Sequence, residues 1–193
     1  MKKVVFLLAL GLTIGLGANA QDGVGGIKTN PWGWFAGQYQ FGYEHFLGEH
    51  ASVQLMPGGI YGEVSLTPND TAATFASVRA TRSGLIVIPE FRYYLGDEAP
   101  RGLYIAPFAR YRNVTTRINN DQASSRIRTA IGGGFVLGYQ YKLANGLMAD
   151  LFMGPQFKSS TTSTTGSFDD YGFSIEDESD TGIRFGLNIG YAW

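Results

Sequence analysis

Few residues of this 193-residue chain have types and spacing suited to chemistry. It has two histidines, His45 and His50, and no cysteine. The lack of cysteine excludes a disulfide framework, thiol catalysis, a zinc ribbon and a lipid-modified N-terminal cysteine. Nucleophilic catalysis needs a nucleophile beside a histidine. The two histidines instead flank the turn Leu47-Gly48, with no His-x-Ser arrangement. No catalytic residue is assigned, and the chain is not expected to be an enzyme. Across that hairpin His45, His50 and Glu49 have a donor set that suits a transition metal. One interfacial ring and one solvated turn residue explain them better, so no metal site and no cofactor is expected. The acids Asp169, Asp170, Glu176, Asp177, Glu178 and Asp180 lack the spacing of a calcium loop. They read as a solvated loop. Gly132-Gly133-Gly134 lacks the Lys-Ser/Thr pair and following helix of a phosphate loop. It reads as strand that lets a sheet curve.

The charges that remain recur on alternate positions: Glu44, Glu90, Arg92, Arg110, Lys142, Asp150 and Arg184. Their placement depends on the elements that carry them. The dominant period is two. From Ile183 to Trp193 every odd position is apolar or aromatic, while the even ones are Arg184, Gly186, Asn188, Gly190 and Ala192. The same alternation runs through 37–47, 51–63, 84–95, 102–115, 126–143 and 147–159, and more weakly through 25–33. These segments predict eight strands. Tight turns are expected at 47–50, 96–101 and 144–146, the last with the Asn-Gly hairpin signal. Longer loops are expected at 64–83, 116–125 and 160–180, alternating with the turns. Ser159 to Thr165 is β-prone and could carry the strands beyond the membrane as a hairpin with an exposed edge. The link from strand 1 to strand 2 is expected to be short, Gly33 to Ala36.

Lys2 and Lys3, the apolar stretch Val4 to Leu16 and the small residues Gly17-Ala18-Asn19-Ala20 predict a signal peptide over 1–20, cleaved near Ala20. The exported domain would be 21–193. No other run approaches the ~20 apolar residues of a membrane-spanning helix. Net charge is −1, so no basic field points to nucleic acid. Only 16% of residues are charged, against roughly 25% in soluble domains.

An alternating sheet can bury its apolar face against a second sheet, or close around a ligand with that face inward. Sparse charge and abundant glycine on the polar face suit a narrow lumen better than a solvated surface. Tyr and Trp at the strand ends suit an interfacial belt: Trp32, Tyr43, Tyr61, Tyr93, Tyr139, Tyr141, Tyr191 and Trp193. The apolar face is therefore expected to meet lipid. An eight-stranded barrel is just wide enough inside for side chains to fill. Charges placed there must pair. Glu44, Glu90 and Asp150 are expected to face Lys28, Arg92, Arg110, Lys142 and Arg184 as a plug. The rival expectation is a small-solute or ion channel lined by these bases. A lipid-modifying barrel enzyme ranks third.

The chain resembles the small eight-stranded outer-membrane barrels of the OmpA and OmpX type, and more narrowly an outer-membrane β-barrel family of unknown function. Ile27-Lys28-Thr29-Asn30, Phe41-Gly42-Tyr43-Glu44 before a glycine turn, Ile88-Pro89-Glu90-Phe91-Arg92-Tyr93-Tyr94-Leu95 and the aromatic C-terminal strand carry the resemblance. It implies an all-β, antiparallel up-and-down transmembrane barrel in the bacterial outer membrane. It also implies outer-membrane lipid as solvent, recognition of the last strand by barrel-assembly machinery, and a monomer. Trp193 stands where such barrels usually end in Phe. An extracellular partner, if one exists, would meet the long loops.

Overall fold

In a computed structural model the described residues are 25–66, 78–96, 99–119, 121–166 and 180–193. The signal-peptide segment lies outside them, as do 67–77 and 167–179, which hold most of two expected loops and all of the acidic cluster except Asp180.

Eight antiparallel strands form a closed barrel in sequence order. They are β1 (Gly25–Thr29), β2 (Gln38–Phe46), β3 (Ala51–Leu66), β4 (Val78–Tyr94), β5 (Gly102–Ile118), β6 (Asp121–Lys142), β7 (Leu147–Thr165) and β8 (Thr181–Ala192). β1 closes the ring by pairing Gly26 to Thr29 with Ala192 to Ile189. Pairing followed from Gly26 through Glu44, Gln54, Glu90, Phe108, Gly134 and Gln156 arrives at Gly182. Gly26 itself pairs with Ala192, ten residues further along β8 than Gly182. A stagger of this kind tilts the strands and sets the bore of the barrel.

The period-two pattern sorts the two faces. Outward positions hold Phe41, Ile131, Phe135, Leu137, Leu151, Met153 and Phe185, all exposed. Inward positions on the same strands hold buried Gln40, Glu44, Val136, Gln140, Asp150 and Asn188. An apolar belt outside and charges inside are what hydrocarbon solvent selects. At the tight-turn end Tyr43, Tyr93, Tyr139, Tyr141, Tyr191 and Trp193 point outward, and Trp32 and Tyr61 do so towards the other end.

Three boundaries differ from the sequence expectation. Strand 1 stops at Thr29, and a helical turn α1 (Pro31–Phe35) follows, so Trp32 leaves the strand. Asn30 caps α1 by accepting from Gly33 N at 3.0 Å, and Pro31 occupies its first turn. Asn followed by Pro is the residue pair that starts a helix. β5 and β6 meet at Ile118↔Asp121 with a register shift beside Arg117, which leaves a tight turn where a medium loop was expected. β3, β4 and β7 likewise run past the aromatic belt into 64–83 and 160–180. Above the belt both faces meet water, so the outer face need not be apolar and the alternation fades.

The Asn145-Gly146 turn forms as its residues require. Gly146 has φ +90°, a conformation costly for any residue with a Cβ. Leu147 N donates to Asn145 Oδ1 at 3.2 Å.

Candidate functional site

The lumen is stratified from the turn end upwards. Near that end lies an ion-pair cluster. β1 supplies Lys28, β2 Glu44, β4 Glu90 and Arg92, β7 Asp150 and β8 Arg184. Lys28 Nζ lies 2.6 Å from Glu44 Oε2 and 3.5 Å from Asp150 Oδ2. Arg92 joins all three acids: Nε to Glu90 Oε1 at 2.7 Å, Nη2 to Asp150 Oδ2 at 2.8 Å, Nη1 to Glu44 Oε1 at 3.7 Å. Arg184 Nη1 meets Glu90 Oε2 at 2.8 Å from the opposite wall. Arg92, Glu44 and Asp150 have 0% of their surface exposed. Charges so deep persist only when paired and bonded, and here three cations face three carboxylates.

Neutral partners take up the remaining lone pairs. Ser52 and Tyr94 donate to Glu44 Oε1 at 2.5 and 2.8 Å, Tyr104 to Asp150 Oδ1 at 2.6 Å and Asn188 to Asp150 Oδ2 at 2.9 Å. Gln140 Oε1 accepts from Lys28 and from Arg92 Nη1. Arg92 also lies 4.4 Å from the centre of the Tyr104 ring, a cation–π placement. A Cβ on Gly138 would collide with the Tyr104 ring, so glycine on β6 makes the room that lets Tyr104 reach Asp150.

Of the seven charges singled out from sequence, five meet in this cluster: Glu44, Glu90, Arg92, Asp150 and Arg184. Arg110 stands higher, donating to Gln156 Oε1 at 3.0 Å. Lys142 is half-buried at the turn end, opposite Met148 and apart from the cluster. Tyr94 and Tyr104 escaped sequence reading. Tyr93-Tyr94 placed one aromatic on each face, and only the outward one matched the belt pattern.

Above the cluster an apolar layer fills the lumen: Met56, Ile86, Ile88, Phe108, Val136 and Phe152. The sequence signal was Leu85-Ile86-Val87-Ile88, apolar on both faces of one strand. Arg184 bridges the layers, its guanidinium 4.4 Å from the Phe108 ring centre and 4.5 Å from that of Phe152. Next comes a cavity of about 180 Å³, lined by Asn30, Gln38, Gln40, Arg110, Gln156 and Arg184 among others.

Gln54 is buried with neither amide atom bonded among the described residues. An unsatisfied buried amide costs about 1–3 kcal/mol. Gln54→Met should therefore leave the urea unfolding midpoint in vesicles unchanged or raise it; a clear fall would mean that the amide is bonded in the folded protein.

The histidines stay apart from this interior. His45 Nδ1 lies 3.4 Å from the Tyr43 hydroxyl and His50 Nδ1 3.0 Å from Gly96 O. Among the described residues no group of three or more His, Asp or Glu side chains is arranged to hold a metal ion.

Residues 4–163 match the family described as "Protein of unknown function (DUF3575)". No curated protein matches the chain. Two crystal structures from Acinetobacter baumannii are similar. CarO2 aligns with a TM-score of 0.51 at 11% identity, covering 91% of this chain and 100% of its own. CarO gives 0.47 at 14% identity with the same coverages. The CarO2 likeness is one of fold, the closed eight-stranded barrel described above.

Proposed function

Since the chain belongs to the DUF3575 family, whose function is unknown, we propose its role from the barrel itself. It is an integral outer-membrane barrel whose lumen is closed by a neutralised ion-pair plug, and it serves the envelope structurally and through its loop end rather than as a pore. One observation carries this reading: Arg92 is fully enclosed while bonded to Glu90 and Asp150 from different strands. An aqueous path through that layer would have to break these pairs. Lipid is the solvent of the outer belt. The alternating C-terminal strand ending at Trp193, whose N–H donates to Gly25 O at 3.1 Å, is the segment offered to assembly machinery. A single chain closes the barrel, in keeping with a monomer.

Planar-bilayer recording tests the reading. Folded protein, verified by its heat-dependent gel shift, should show no steady open state. A stable conductance from the wild-type barrel would overturn the plug and favour the channel reading.

A further inference from the structure

The inward positions of β4 to β7 above the apolar layer carry Arg82, Arg110, Arg112, Arg126, Arg128 and Lys158, all half-buried. Register stacks them. Arg110 and Lys158 flank Gly132 on one rung, Arg112 lies one inward position higher, and Arg82 and Arg126 flank Thr116 higher still. Arg128 Nη2 donates to Ser160 Oγ at 3.1 Å. Among the described side chains the acids of this half are Glu63, exposed on the outer face, and Asp180, exposed at the start of β8. Among the described residues neither Arg82 nor Arg126 has an ion-pair partner. The ladder descends to the cavity, where Arg110 and Arg184 meet the amides of Asn30, Gln38 and Gln156.

Arg82, Arg126 and Arg128 are like charges lining one narrow bore and repel each other, and low-dielectric walls concentrate their field. Guanidinium groups match phosphate oxygens in pairs. The bases sit on the lumen side of the wall and the outer face is apolar, so a bilayer lipid cannot reach them, whereas a solute in the lumen can. Among the described residues the wall is lower on one side. β2 begins at Gln38 opposite Ile60 while β3 continues to Leu66, and β8 begins at Thr181 opposite Phe157 while β7 continues to Thr165.

We propose that the loop-end half of the lumen binds a soluble polyanion bearing several phosphate groups, held by the Arg82–Arg126–Arg128 rungs and the Arg110–Arg184 cavity. The site stands apart from closure below, because binding is read by calorimetry and closure by conductance, and either can fail alone. Sodium tripolyphosphate titrated into the full-length folded barrel in zwitterionic micelles should give one saturable site that weakens as salt rises. Orthophosphate should bind more weakly. Arg82→Gln with Arg126→Gln should loosen tripolyphosphate about tenfold. Arg79→Gln with Arg117→Gln, which removes the same charge from exposed outward positions, should leave affinity unchanged. Absence of saturable binding, equal affinity for orthophosphate, or equal weakening by both pairs would overturn the site. The last result would mark diffuse surface charge only. The gel shift confirms that each variant folds.

Discussion

Arg92→Met should destabilise the folded barrel by about 3–5 kcal/mol, the usual loss when one partner of a buried ion pair is removed. Glu44, Glu90 and Asp150 would keep Lys28 and Arg184 as cations but lose the group that touches all three. Methionine matches much of the arginine stem, so little of the loss would come from a cavity. Reversible urea unfolding in vesicles measures it. Pairing Arg92→Met with Asp150→Asn should recover part of the loss, because the carboxylate left with only a 3.5 Å contact to Lys28 goes with the cation. A change under about 1 kcal/mol for Arg92→Met alone would mean that water already reaches this layer, and the plug would fall with it.

The second large effect tests the outer face by depth. Met153 points outward from β7 between Leu137 of β6 and Phe185 of β8, and 61% of it is exposed. Met153→Arg should cost about 2–4 kcal/mol at mid-bilayer, against roughly 0–1 for Ser159→Arg, exposed on the same strand beyond Phe157. The pair shares strand, chemistry and outward direction and differs in distance from the belt. Equal costs in the same titration would show that hydrocarbon does not solvate this face.

The architecture was legible because hydrocarbon outside and a crowded lumen inside impose opposite demands at a period of two, and β8 states both demands without interruption. Where only one demand acts, the signal thinned. The polar run Ser160 to Thr165 pairs as strand, yet with water on both sides it carries no alternation, so only its β-propensity showed. The turn α1 was missed because Trp32 fitted an aromatic belt whether on strand or helix; the decisive residues were its neighbours Asn30 and Pro31. Within the lumen, parity told which charges point inward but not how high each sits. Height depends on the ten-residue stagger, which emerges only from the closed pairing. Glu90 and Arg184 meet across the bore, while Arg110 and Lys142, equally inward by parity, stand above and below that level. The apolar layer of Ile86, Ile88, Phe108 and Phe152 was hidden for a related reason, since an apolar residue on an inward position looks like a lapse in pattern until its neighbours from other strands are known.

The joint between first and last strands has a mechanical consequence. Among the described residues β1 has five and engages β8 through four paired positions, whereas β5 and β6 pair at seventeen. A ring parts where its overlap is shortest. The stave beside the N-terminus is thus expected to peel first as the cylinder comes apart, while the long staves opposite hold their shape.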